Sequence, residues 1–138
     1  MSARTNLRPQ IVIPSLQGSP ANGNSMAGNI TSAPTILQSL SLVSYAFSWT
    51  GTSPVGTISI QVSNDFALTP EGQVSNAGTW NTLTLNYGGS AVTTIPVSGN
   101  TGNGFVDLDP TAGYAIRAIY TATSGSGTLI ATINGKVS

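Results

Sequence analysis

The sequence predicts an all-β fold, a jelly roll or two-sheet β-sandwich of about eight antiparallel strands. Apolar and polar residues alternate over short segments, which is typical of half-buried strands. Clusters of Gly, Pro, Ser and Asn separate these segments at near-regular intervals, and no segment has a convincing helical period. At 138 residues the chain has the length of one domain and can bury a substantial core. These features together favour a sandwich or a jelly roll.

Residues 1–34 differ from the rest, because proline and glycine are frequent and no period is sustained. The segment nevertheless carries an apolar patch, formed by Ile11, Val12, Ile13 and Leu16. A fully solvated tail has little reason to carry such a patch. We therefore expect an extended N-terminal arm over 1–34 that becomes ordered on a neighbouring subunit, and a β-sandwich domain over 35–138. A solvated tail remains the alternative.

The first strong alternation begins at Ile36. It places large side chains on one face, namely Leu37, Val43, Tyr45, Phe47 and Trp49. Leu40 and Leu42 interrupt the pattern, which predicts a bulge near residues 39–41. Residues 56–63 then alternate cleanly and predict a strand that buries Ile58, Ile60 and Val62.

A long loop is predicted over residues 64–78, and loops of that length are often functional. Further strands are predicted over 79–87, 91–97 and 105–108. Their inward residues are expected to be Leu83, Leu85, Tyr87, Ile95 and Val97. Trp80 lies on the face opposite these leucines, which makes it a candidate interface anchor.

The closing segment, residues 113–137, predicts a β-hairpin around the turn Ser124–Gly127. One face of its first strand carries Tyr114, Ile116, Ala118 and Tyr120, and one face of its second carries Leu129, Ala131, Ile133 and Val137. The aromatic residues expected to anchor the core are Tyr45, Phe47, Trp49, Phe105, Tyr114 and Tyr120.

Charge is scarce: 6% of the residues are charged and the formal net charge is zero. Such a surface lacks the repulsion that keeps proteins apart and favours association. It argues against direct nucleic-acid binding, which depends on Lys and Arg. The apolar runs are too short to span a membrane or to form a secretory signal, so we expect synthesis in a cytoplasm.

Catalytic constellations are hard to build from this composition. The chain has no His and no Cys, which excludes a Ser–His triad, a thiol nucleophile and a zinc site of the usual ligands. Two acidic pairs remain, Asp107 with Asp109 and Asp65 with Glu71. A structural role is favoured for both pairs, with a cation site or carboxylate catalysis left open. We expect no cofactor and no enzymatic activity.

Arg117 lies in the middle of a predicted strand among small, uncharged residues. Such an arginine either pairs with an acid or reaches a partner molecule, and pairing is favoured. Ile11, Val12, Ile13, Leu16, Trp80 and Arg117 are thus the candidate partner-interface residues.

Residues 104–138 contain an aromatic-Ala-Ile-Arg strand, a Ser-Gly turn and a Thr-rich strand. This segment resembles the C-terminal hairpin of small structural proteins of tailed double-stranded-DNA bacteriophages. The chain as a whole resembles their capsid cement (decoration) proteins, and the resemblance is best from about Thr57 to the end. It implies a jelly-roll virion protein on the outer surface of an icosahedral capsid. There it would cement neighbouring major capsid proteins against the pressure of packaged DNA, as a homodimer without catalytic residues.

Two other functions stay open at this point. A phage tail or fibre module that binds a host-surface glycan would need exposed aromatic residues near acids. A carbohydrate-binding or lytic enzyme domain would need Asp107 and Asp109 to face an open groove.

Overall fold

The computed structural model describes residues 6–14, 23–37, 42–108 and 113–136. Twelve β-strands and no helix occur in these residues. The strands are β1 (Asn6–Ile13), β2 (Ile30–Thr31), β3 (Thr35–Ile36), β4 (Leu42–Ser63), β5 (Ala67–Leu68), β6 (Val74–Asn76), β7 (Asn81–Thr82), β8 (Leu85–Tyr87), β9 (Ser90–Val92), β10 (Ile95–Val97), β11 (Thr101–Leu108) and β12 (Ala115–Lys136). All pairings between them are antiparallel, which confirms the predicted all-β class.

Strands β4 and β12, each 22 residues long, form the central ladder of the fold. They pair from Leu42 opposite Lys136 to Ser63 opposite Ala115. The first half of β4 therefore pairs with the second half of β12, and the second half of β4 with the first half of β12. Inward residues from both halves belong to one hydrophobic core, so the ladder folds back on itself.

A corner in the middle of the ladder makes this folding possible. The register is irregular between Ala122 and Ser126, and each strand has a left-handed residue there, Ser53 with φ 47° and Gly125 with φ 81°. A left-handed residue interrupts the pleat and redirects the strand. Accordingly, buried positions switch from odd to even numbers along β4 and from even to odd along β12.

Each half of the ladder gains further strands at its edges. β1 pairs with the second half of β12, and β11 pairs with the first half of β4. β2 and β3 pair with the first half of β12, whereas β10 and β7 pair with the second half of β4. The result is a two-sheet β-sandwich, as predicted. The N–H of Ala33 donates to the carbonyl oxygen of Val12 at 3.1 Å and joins the two sheets at one edge.

The core is built from aliphatic and aromatic side chains that the alternation predicted. The confirmed buried residues are Leu37, Val43, Tyr45, Phe47, Trp49, Ile58, Ile60, Leu85, Ile95, Val97, Ile116, Ala118, Tyr120, Leu129, Ala131 and Ile133. Burying each large side chain contributes about 1.5–3 kcal/mol. Because residues from every long strand share this cluster, the fold depends on both halves of the ladder at once.

The predicted hairpin around Ser124–Gly127 is wrong. The two segments of β12 pair with β4 rather than with each other. The reason lies in the glycines: a Cβ on Gly125 would overlap the Ser53 carbonyl, and one on Gly127 would lie 2.5 Å from the Thr50 carbonyl oxygen. These glycines permit a close approach of two strands at the corner, not a chain reversal.

Two aromatic core predictions are also wrong. Phe105 is 59% exposed and Tyr114 is 44% exposed. Phe105 lies opposite Ala46 in the β4–β11 ladder, so it shares the outer face of the sheet with that exposed residue.

The described part of the predicted N-terminal arm lies on its own chain. β1 extends the sheet at β12, and Val12 and Ile13 are 3% and 1% exposed. Met26 and Ile30 are fully buried in the same core. Val12 and Ile13 are thus not free to contact a neighbouring subunit, which corrects their prediction as interface residues. Other predictions, on Leu16, Leu40, Asp109, Val137 and the bulge at 39–41, fall outside the described residues.

The close approach at the corner can be tested with Gly127→Ala. The added methyl would collide with the backbone of Thr50 and Gly51, and overpacking of this kind costs about 1–3 kcal/mol. Urea denaturation should show that loss in the free energy of unfolding. Gly104→Ala is the matched control, because its Cβ would meet only the Tyr87 hydroxyl, at 3.7 Å. If the two substitutions change the free energy of unfolding equally, the close approach of the strands at the corner is contradicted.

The hydroxyl of Tyr45 is buried and has no hydrogen-bond partner among the described residues. Because an unpaired buried hydroxyl is unfavourable, Tyr45→Phe should raise the free energy of unfolding by about 1 kcal/mol.

Burial also raises the pKa of Tyr45 above its ordinary value. The wild type should therefore lose stability as pH rises above about 10, where the unfolded chain ionises, and Tyr45→Phe should lose less. Exposed Tyr114→Phe is the control, and destabilisation by Tyr45→Phe would refute the expectation.

Candidate partner-binding surface

An apolar groove lies along one edge of the sandwich. It is bordered by β1, the 33–35 segment and the β5–β6 hairpin, and has a volume of about 960 Å³. Three large apolar side chains that line it are unusually exposed: Ile11 at 47%, Leu68 at 42% and Val74 at 59%. Exposed apolar residues gathered at one place mark a binding surface more often than isolated ones do.

The β5–β6 hairpin holds Leu68 and Val74 in position through its turn. Thr69 and Gln73 are joined twice, by the Thr69 N–H donating to the Gln73 carbonyl at 2.7 Å and the Gln73 N–H donating to Thr69 Oγ1 at 3.1 Å. Gly72, with φ 86°, supplies the left-handed position that the turn needs. The tip of the groove is therefore a closed, hydrogen-bonded turn.

Asp65 fastens the start of this loop to its end. Its Oδ1 accepts from the Thr79 N–H at 2.6 Å and from the Ser63 hydroxyl at 2.8 Å. The Thr79 N–H, followed by the Ser63 hydroxyl, lowers the pKa of Asp65 below its ordinary value. Ser63 is itself buried, and its Oγ accepts from the Phe66 N–H at 3.1 Å. The ionised carboxylate thus clamps the loop against the end of β4.

Trp80 and Arg117 meet at the end of the clamped loop. The guanidinium carbon of Arg117 lies 4.2 Å from the centroid of the Trp80 ring, within cation–π distance. The Trp80 Nε1 donates to the Ala77 carbonyl at 2.8 Å, and Arg117 Nε donates to Gln61 Oε1 at 2.9 Å. Both side chains are half-buried and held in fixed orientations.

Phe66 connects these residues with the groove. Its ring centroid lies 5.6 Å from that of Trp80 in a tilted arrangement, and the same residue lines the groove. Of the predicted interface residues, Ile11 lines the groove, whereas Trp80 and Arg117 contact each other beyond the buried Phe66, which packs against Trp80. Sequence reasoning missed Phe66, Leu68 and Val74, although apolar residues inside a long polar loop were a usable signal.

The acidic residues do not form a metal-binding group among the described residues. Asp107 is exposed on β11 opposite Ser44 and is not among the groove-lining residues. The favoured acid partner of Arg117 is not found in this part of the chain either, because its described contacts are Gln61 and Trp80. Among the described residues there is no apolar helix that could span a lipid bilayer.

The fold and surface define the class: an antiparallel β-sandwich with an apolar groove at one edge. No protein-family model and no curated protein sequence matches the chain. Among solved structures it is similar to the SPBc2 prophage-derived protein YomS, with a TM-score of 0.53 and 6% sequence identity. The alignment covers 97% of this chain and 96% of that chain. At this identity the likeness is one of fold.

The carboxylate clamp predicts a local effect of Asp65→Ala. Because Thr79 loses its acceptor, its amide should exchange with deuterium about tenfold faster, with little change in global stability. Falling pH should have the same effect in the wild type once Asp65 is protonated, below its ordinary pKa. Glu71→Ala is the control, since Glu71 is exposed in the same loop. If the exchange rate of the Thr79 amide does not change in Asp65→Ala, the carboxylate clamp is ruled out.

Proposed function

We propose that this chain is a structural virion protein that binds the outside of an icosahedral phage capsid and cements neighbouring major capsid proteins. In this role it would stabilise the shell against the pressure of packaged DNA. The observation that carries the proposal is the apolar groove, with Ile11, Leu68 and Val74 exposed along it. A chain with 6% charged residues offers little else by which to hold a partner.

The chemistry of the groove favours a protein partner. Its lining residues are uncharged, and its exposed side chains are aliphatic. Contact with the apolar surface of another protein would remove these side chains from water, at about 25 cal/mol for each Å² buried. The neighbouring Trp80 and Arg117 are residue types that often dominate protein interfaces.

The comparison with YomS supports a phage origin without extending to function. That protein is prophage-derived, and its fold covers nearly the whole of this chain. The resemblance of the chain as a whole, best from about Thr57 to the end, to the capsid cement protein of a Bordetella phage is the basis for the finer part of the proposal. The homodimeric unit, the outer capsid location and the absence of enzymatic activity and cofactors are parts of the same proposal.

Serine substitutions in the groove test this function. Leu68→Ser and Val74→Ser should each weaken binding to purified, undecorated capsids about tenfold, because they remove apolar contacts from the interface. Both side chains are largely exposed, so the free energy of unfolding should change by less than about 0.5 kcal/mol. Cosedimentation with capsids over a range of protein concentrations gives the affinity.

Phe105→Ser is the matched control, because Phe105 is an equally exposed apolar residue that does not line the groove. It should bind capsids like the wild type. A wild-type protein that ignores capsids but binds host-surface polysaccharide would replace the proposal with the tail or fibre function. Undiminished capsid binding by both groove variants would remove the groove from the interface.

A further inference from the structure

Arg117 is a cation without an acidic partner among the described residues. Only its Nε donates to a described acceptor, Gln61 Oε1 at 2.9 Å. A guanidinium has five N–H donors, so the four on the two Nη nitrogens are left without an acceptor in this part of the chain. The side chain is half-buried, and the loss of solvent lowers the pKa of Arg117.

The described acids are engaged or placed elsewhere. The Oδ1 of Asp65 already accepts from Thr79 and Ser63. Asp107 lies on β11, which pairs with the first half of β4, whereas Arg117 is opposite Gln61 in the second half. Glu71 is exposed in the loop between β5 and β6 and forms no ion pair with the described residues. The interior of the described fold therefore does not neutralise Arg117.

We propose that Arg117 and Trp80 form a binding site for a carboxylate, the side chain of an Asp or Glu on the protein partner. This inference deepens the proposed function and rests on it. The Trp80 ring and Gln61 fix the guanidinium plane, which leaves the Nη edge to receive both oxygens of a carboxylate. Bidentate pairs of this kind combine strength with geometric specificity, and little side-chain entropy is lost because the arginine is already ordered.

The surroundings favour a protein carboxylate over an acidic sugar. A sugar platform needs an open aromatic face, but the Trp80 ring contacts both Arg117 and Phe66. The buried Phe66 packs against Trp80 and also lines the apolar groove, so the two features share one supporting side chain. Arginine and tryptophan are residue types enriched in protein interfaces and in their energetic hot spots.

The test compares two charge-neutralising variants on undecorated capsids. Arg117→Gln should weaken binding at least about tenfold and flatten its dependence on salt, because one charged contact is lost. Lys136→Gln removes the same charge from an exposed residue at the far end of β12, and its affinity should stay within about twofold of the wild type. Equal binding by Arg117→Gln and the wild type overturns the inference, while leaving the proposed function intact.

The identity of the carboxylate is tested on the capsid itself. The surface carboxylates of purified capsids are amidated, and electron microscopy confirms that the capsids stay intact. These capsids should bind the wild-type protein about tenfold more weakly than untreated capsids do. Arg117→Gln should lose nothing further on these capsids, because the two changes remove the same contact. If amidation and Arg117→Gln each weaken capsid binding independently, the inference is overturned. It is also overturned if Arg117→Gln weakens binding to a uronic-acid polysaccharide but does not change binding to capsids. If the wild-type protein binds no capsids at all, the result contradicts the proposed function itself.

Discussion

The folded β4–β12 ladder is the constraint on which the rest of the structure depends. Each strand contributes to both sheets, so the two sheets cannot separate without breaking a continuous backbone. The corner needs a left-handed residue in each strand and glycines where the strands approach closely. Asn100 reinforces the corner, since its Oδ1 accepts from the Ser53 N–H at 2.8 Å and its carbonyl oxygen accepts from the Gly51 N–H at 2.8 Å. With the corner fixed, one hydrophobic core forms between the two halves.

The position of the candidate surface follows from this ladder. Asp65 attaches the loop to the end of β4 at Ser63, and the same end of the ladder carries Arg117 on β12. Trp80 closes the loop against Arg117, and Phe66 turns from that contact toward the groove. The β4–β12 ladder stays paired up to Ser63, and this fixed end gives the loop that follows it a defined geometry, although most residues of the loop are exposed. A nearly uncharged chain can in this way present an ordered candidate surface.

Alternation along the chain was enough to predict the fold class and most of the core, because burial on one face of a strand imposes a period of two. It could not predict connectivity at the corner. A Ser-Gly-Ser-Gly sequence is compatible with a turn and with a close approach of two strands, and only the pairing with residues 51–55 of β4 decides between them. Alternation also led to the wrong prediction that Phe105 is buried, because its pairing with Ala46 places it on the outer face of the sheet. Trp80 and Arg117 were recognisable separately, but their contact joins residues far apart in the sequence, which alternation alone does not relate.

The scarcity of charge has a consequence for how such a surface can bind. Removing Ser, Thr and aliphatic side chains from water costs less than removing ions, so little of the contact energy is lost to desolvation. A small groove still gives only modest affinity for one contact. On a regular lattice, however, a subunit with two linked contacts binds the second as an intramolecular event, and the combined affinity can exceed either one by orders of magnitude. Modest individual contacts are therefore compatible with firm attachment to a repeating lattice, as the proposed capsid-binding function requires.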